Sequence, residues 1–346
     1  MSRIFPLFPR RWLDALALLL GLSLFWLFAR QIDLADEMAL LRDAGPAPFL
    51  IYLAVNGGIA LLFADRWWLL LRGLGVHLSF GRVAVYRLIA ATVSLLTPGP
   101  QFGGEPVQVW LLVRRSAVPA SQAVASVALD RLLELTLNLT FLAVGILYSL
   151  WSGLLGSAAY RPAILFALLP LLLPPLLLFS LWWRGRSIAE RAAFLLRRLP
   201  QRWQSPALAR AIAALAAGEA HIHTILRGNP RLIGVGALVS LGNWVVLLVD
   251  FWLATWLIGL DLSVPQFAGF VVAARIAILL PIPAGLGALE ASQILAAQQF
   301  GLNPALGLAL VLLFRVRDVA LALAGLGLAW RERRQENRTP IYADKR

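Results

Sequence analysis

Pro281-Ile282-Pro283-Ala284-Gly285-Leu286-Gly287-Ala288-Leu289-Glu290 lies in the middle of an apolar stretch, Val264–Phe300, that would otherwise be long enough to cross a bilayer. Proline inside a helix removes a backbone donor and clashes with the preceding turn, and glycine adds conformational freedom. The stretch therefore reads as two short helices joined by an elbow. Each half falls short of the ~20 residues needed to cross a ~30 Å hydrocarbon core. A broken hairpin that enters and leaves the membrane on one side is the expected shape.

The same pattern occurs earlier in the chain. Val83–Val113 is interrupted at Thr97-Pro98-Gly99-Pro100, and Gly103-Gly104 leads into Glu105 as Gly285-Leu286-Gly287 leads toward Glu290. Arg131 follows Glu105 at about the distance at which Arg315 follows Glu290, and an acid stands three residues further on in both cases, Glu134 and Asp318. Three residues apart is one helical face, so Arg131–Glu134 and Arg315–Asp318 are expected as pairs.

Outward from the two elbows, uninterrupted apolar runs cover roughly Trp12–Ala29, Pro48–Leu71, Ser121–Trp151, Pro162–Trp183, Leu232–Leu260 and Pro304–Trp330. The expected fold is all-α: a polytopic integral membrane protein with about six transmembrane helices plus two broken re-entrant helical hairpins. Eight or ten spans result if each half-hairpin crosses. Span, span, hairpin, span occurs twice, in repeat 1 at about 12–151 and repeat 2 at about 162–330, within a single membrane domain over 1–346. Three crossings per repeat is an odd number, so the repeats are expected to be inverted. Discontinuous helices at matching positions of inverted repeats mark the midplane site of many transporters.

Composition agrees. Of 346 residues, 60% are hydrophobic and 14% charged, with mean hydropathy +0.77; soluble domains carry about 25% charged residues, so a soluble enzyme is excluded. Net charge is +13, from 31 Lys+Arg against 18 Asp+Glu. The arginines lie between apolar runs, which points to loops facing anionic lipid rather than to nucleic acid. Most fall at the N-terminus, between Arg66 and Arg87, at Arg114-Arg115, between Arg184 and Arg231, and after Arg331, which puts both termini in the cytoplasm. Trp67-Trp68 and Trp182-Trp183 are expected at the cytoplasmic interface. Trp12–Ala29 lacks a small-residue cleavage site and reads as an uncleaved anchor. Residues 184–231 alternate arginine with alanine and leucine and read as a basic amphipathic helix pair lying on anionic lipid. The absence of cysteine removes thiol chemistry. His221 and His223 lack a third ligand, so no metal is expected, and no dinucleotide or Walker motif calls for a cofactor.

Ten ionisable residues lie inside the apolar stretches: Glu105, Asp130, Arg131, Glu134, Asp250, Arg275, Glu290, Arg315, Arg317 and Asp318. Each would cost on the order of 2.5–3.5 kcal/mol at a lipid-exposed helix centre, so they must face one another or a polar cavity. Arg131, Arg315 and Arg275 are the candidates for holding a lipid phosphate. Glu105, Glu290, Glu134, Asp318 and Asp130 are candidates for gating, or for binding a cationic headgroup or a proton. Pro98, Gly99, Gly103, Gly104, Pro281, Pro283, Gly285 and Gly287 form the hairpin breaks. Self-neutralising ion pairs are the plainer alternative.

Three segments together resemble the flippase-like membrane domain of lysylphosphatidylglycerol synthases: Thr97–Pro106, Asp130-Arg131-Leu132-Leu133-Glu134-Leu135 and Pro281–Glu290. The resemblance spans roughly residues 12 to 330. It implies a bacterial cytoplasmic (inner) membrane protein that moves a phosphate-containing lipid between leaflets, the candidates being an anionic phospholipid and a polyprenyl-phosphate or hopanoid-type lipid, with a lipid-modifying enzyme as partner. The soluble aminoacyltransferase domain of full-length synthases has no room in this chain, so the chain is expected not to be an enzyme. A membrane-embedded lipid-modifying transferase and a non-transporting membrane partner are the alternatives.

Overall fold

The computed structural model of the protein describes residues 46–96, 103–152, 173, 176–198, 206–279, 285 and 287–338. The expected span Trp12–Ala29, most of Pro162–Trp183, and Pro98, Gly99, Pro281 and Pro283 of the breaks lie outside the described residues. The described residues are helical: α1 (Pro46–Gly73), α2 (Phe80–Leu96), α3 (Glu105–Arg115), α4 (Ala120–Trp151), a helical stretch over 176–183, α5 (Ile188–Arg198), α6 (Pro206–Gly228), α7 (Pro230–Leu257), α8 (Val264–Leu279), α9 (Ala288–Gln299) and α10 (Pro304–Arg338).

Three of these helices are long and apolar enough to cross a membrane: Ala47–Gly73 in α1, Ala120–Trp151 in α4 and Pro230–Leu257 in α7. Most of their apolar surface faces outward, where residues such as Leu50, Leu61, Val144, Leu238, Val245 and Trp252 are exposed. Apolar surface on that scale is stable against lipid, not water. The expected span Pro304–Trp330 is one continuous helix, α10, whose apolar run is interrupted by Arg315, Arg317 and Asp318.

Both expected interruptions separate two helices. α2 (17 residues) ends and α3 (11 residues) starts across residues 97–104; α8 (16 residues) and α9 (12 residues) are separated by residues 280–287. At the second break Gly285 and Gly287 have φ of 64° and 75°, a region in which a Cβ is strained. At the first, a Cβ on Gly104 would stand 2.4 Å from the Ala90 carbonyl oxygen and 2.6 Å from Ser94 Oγ. Only glycine lets α3 start this close to α2. Gly104→Ala is accordingly expected to cost about 1–3 kcal/mol through overpacking, read as a lowered thermal midpoint of the detergent-solubilised protein; an unchanged midpoint would contradict the close approach.

The two sets α1–α4 and α7–α10 match in more than order. α1 and α7 each have 28 residues, and the starts of α1, α2 and α4 precede those of α7, α8 and α10 by a constant 184 residues. Asn56 on α1 bonds Asp250 on α7, while Arg66 on α1 bonds Ser240 on α7. As numbering rises along one helix it falls along the other, so α1 and α7 are antiparallel, and the two cross-links exchange positions separated by that same 184. The hairpin helices also exchange partners, α2 packing on α10 and α8 on α4.

Two apolar cores lie apart. One joins the end of α1 (Trp67, Leu70, Leu71) to Tyr86, Leu112, Leu129 and, from α6, Ile222 and Leu226. The other joins the end of α7 (Phe251, Ala254) to Phe270, Leu289, Ala297, Leu310 and Phe314. Polar groups are concentrated between them.

Trp67 and Trp182 are buried among the helices, and each indole N–H has a protein acceptor: Ser126 Oγ at 3.2 Å and Glu219 Oε1 at 3.0 Å. Trp183, next to Trp182, is exposed. The helix pair within 184–231 forms, but α6 packs against α4 and contributes to a core, and α5 lies on α6. Glu219, which is buried, ties the pair together by accepting from the Ile188 and Ala189 amides and the Ser187 hydroxyl. That places a carboxylate at the N-terminus of α5, where the orphan amides favour it.

Candidate functional site

The ionisable residues between the cores form two groups. In the first, Asp130 on α4 accepts from Arg66 Nε through Oδ1 and from Arg87 through Oδ2, both at 2.6 Å. One turn further along, Glu134 Oε2 takes Arg66 at 3.2 Å and Arg87 at 2.9 Å, and its Oε1 takes Arg131 at 3.2 Å. Arg131 also reaches Glu105 Oε1, at the first residue of α3, at 3.3 Å. Arg66 and Asp130 are each only 2% exposed. A pair this deep holds because each guanidinium nitrogen of Arg66 and each carboxylate oxygen of Asp130 has a partner.

The second group repeats the first with altered details. Arg315 on α10 bonds Glu290 Oε1 at 2.8 Å in the first turn of α9 and reaches the Gly285 carbonyl at 3.4 Å. Arg317 bonds Asp250 at 2.9 Å and its neighbour Asp318 at 3.0 Å. Asn56 completes Asp250 at 2.7 Å. In both groups the helix that follows each break starts with a glutamate held by an arginine of the next helix.

A cavity of about 420 Å³ joins the groups. Among its lining residues are Glu105, Asp130, Arg131, Glu134, Arg275, Arg315 and Asp318, with Gly104 and Gly285 from the breaks. The residues selected from the sequence are thus brought together, Glu290 through its bond to Arg315. A second cavity of about 180 Å³ adjoins it between α1, α4, α7 and α8, lined by Arg66, Asn138, Ser240, Asn243 and Trp244, with Glu134 and Arg275 common to both.

Arg275 differs from the other arginines. Its guanidinium carbon lies 4.7 Å over the Trp244 ring, which is itself stacked on Phe141. No carboxylate among the described residues pairs with it. The arginine stands where it can take an oxyanion without first giving up an ion pair. Arg131 and Arg315, also selected for phosphate, are already engaged by glutamates. The glutamates show the complementary feature: Glu105 Oε1 makes an ion pair with Arg131 and Glu290 Oε1 accepts from Arg315, while Oε2 of each is buried without a hydrogen-bond partner among the described residues.

Sequence reasoning missed Arg66 and Arg87 by assigning both to a cytoplasmic basic stretch; they are instead the centre of the first group. The signal was present in α1, where Asn56, Ile59, Phe63 and Arg66 recur at helical spacing and so share a face. Asp318 was expected to pair with Arg315 but pairs with Arg317, because Glu290 on α9 occupies Arg315.

Comparison with known proteins places the chain. It is 24% identical over 287 residues to a UPF0104 membrane protein of Methanothermobacter thermautotrophicus, covering 80% of this chain and 82% of that one. It is 26% identical over 136 residues to a UPF0104 membrane protein of Pyrococcus horikoshii, covering 39% and 41% of the two chains. No solved structure matches. The profile of the lysylphosphatidylglycerol synthase TM region matches residues 15–325, a span that takes in both charged groups and both breaks, and the chain belongs to that family of membrane proteins.

Proposed function

We propose that the protein is a lipid translocase that moves a phosphate-containing lipid across the cytoplasmic membrane through the cavity between the two charged groups. The observation that carries the reading is Arg275, a cation with no carboxylate partner among the described residues, facing a cavity lined by charged side chains from both helix sets. A phosphate diester presents the oxyanion that a guanidinium fork binds best. The headgroup sits in the cavity while the acyl chains stay in lipid along the exposed apolar faces of α1, α4 and α7.

In this reading α1–α4 and α7–α10 belong to inverted repeats. The constant spacing of 184 residues, the antiparallel α1–α7 pair and the exchanged hairpins support it. The hairpins α2–α3 and α8–α9 then re-enter from opposite faces, α10 crosses with its charges turned to the cavity, and rocking of one repeat against the other opens the cavity to each side in turn. Both termini face the cytoplasm, α5 and α6 lie at that interface, and the chain moves lipid without modifying it, served by an enzyme that makes the lipid.

The test is leaflet exchange in reconstituted vesicles containing a trace of acyl-labelled phosphatidylglycerol, with dithionite quenching the outer-leaflet label. Protein-dependent quenching of the inner-leaflet pool is expected. Exchange no faster than in protein-free vesicles overturns the reading, and a covalently altered lipid found by mass spectrometry would favour a membrane-embedded transferase.

A further inference from the structure

The six arginines and six carboxylates of the two groups balance among the described residues, counting Arg66 and Glu290 with those that line the cavity. With all twelve ionised the chamber is neutral. An anionic phosphate seated on Arg275 would then leave one negative charge uncompensated away from water, the costliest state available to such a site. One proton bound to a carboxylate removes it.

Two carboxylates are set apart as its acceptors. Asp130, Glu134 and Asp250 each use both oxygens in bonds to the protein, and Asp318, bonded through Oδ1 to Arg317, has no buried unpartnered oxygen. Glu105 and Glu290, in matching first turns of α3 and α9, each meet an arginine through Oε1 alone, and their Oε2 atoms are buried without a partner among the described residues. Glu105 is faced by Arg87 from α2 and by Arg131 and Glu134 from α4. Glu290 is faced by Arg315 from α10. A proton on Oε2 neutralises the carboxylate while Oε1 still faces its arginine, and that arginine's charge becomes available to the phosphate. Whichever of Arg131 and Arg315 faces the protonated glutamate thereby joins Arg275 as a phosphate partner, and only while the proton is present.

We propose that Glu105 and Glu290 bind a proton that travels with the lipid phosphate, so that anionic lipid and proton cross together as an electroneutral pair; this presupposes the translocase reading above. One proton per lipid fixes the outcome in vesicles. With the lumen made one pH unit more alkaline than the outside, labelled phosphatidylglycerol should reach about a tenfold excess in the inner leaflet, and the co-transported protons should acidify the lumen, as reported by trapped pyranine. An imposed potassium–valinomycin potential should leave the distribution unchanged. In E105Q/E290Q, the distribution should no longer respond to the pH gradient.

Exchange that proceeds with no response to the pH gradient overturns proton coupling and leaves the translocase standing. A response to potential overturns electroneutrality. Absence of exchange under every condition overturns both readings. The wild-type measurements decide the matter even if the double variant does not fold.

Discussion

Asp130→Ala is expected to lower the stability of the protein by about 3–5 kcal/mol, visible as a collapse in the yield of monodisperse material and in its thermal midpoint. The carboxylate holds Arg66 and Arg87 at 2.6 Å each, and its removal strands the Arg66 guanidinium, 2% exposed, without its shortest partner. Most of the cost is the burial of an uncompensated cation, not the loss of the bond. Removing both charges should therefore be milder than removing one: in Arg66→Met/Asp130→Leu, Arg87 retains Glu134 at 2.9 Å, and much of the lost stability should return. A double variant as unstable as Asp130→Ala would show that the cluster is held by geometry rather than by charge balance.

Arg275→Ala should do the opposite, leaving the fold largely intact while slowing lipid exchange by about 10- to 100-fold, the range expected when a charge-assisted hydrogen bond is lost. No ion pair among the described residues breaks, and the guanidinium's contact with the Trp244 ring is worth about 0.5–2 kcal/mol. Arg275→Lys keeps the charge but loses the planar fork and should recover part of the rate. Vesicle exchange and the thermal midpoint, measured on the same preparations, separate the two effects. An unchanged exchange rate in Arg275→Ala removes this residue from phosphate binding.

Some of the site was legible in local sequence. Glu105 and Glu290 were placed just beyond the breaks because proline and glycine stop a helix wherever they occur, and the Arg131–Glu134 pair followed from helical spacing alone. Arg66 was not legible in the same way. Its basic neighbours Arg72 and Arg82 suggested a loop, whereas its position is set by Asp130, 64 residues away, and by Ser240, 174 residues away. Trp67 has the same dependence on a distant helix: its indole N–H donates to Ser126, 59 residues away.

The sequence by itself determined where helices run, where they break, and which charges lie within apolar stretches, since backbone hydrogen bonding and the cost of apolar surface in water act over a few turns of chain. Only the tertiary structure decided which arginine meets which carboxylate: Asp318 going to Arg317, Glu290 going to Arg315, and Arg275 left over an aromatic ring. Those choices depend on how helices far apart in the chain approach one another, and a difference of one helical turn in packing exchanges the partners.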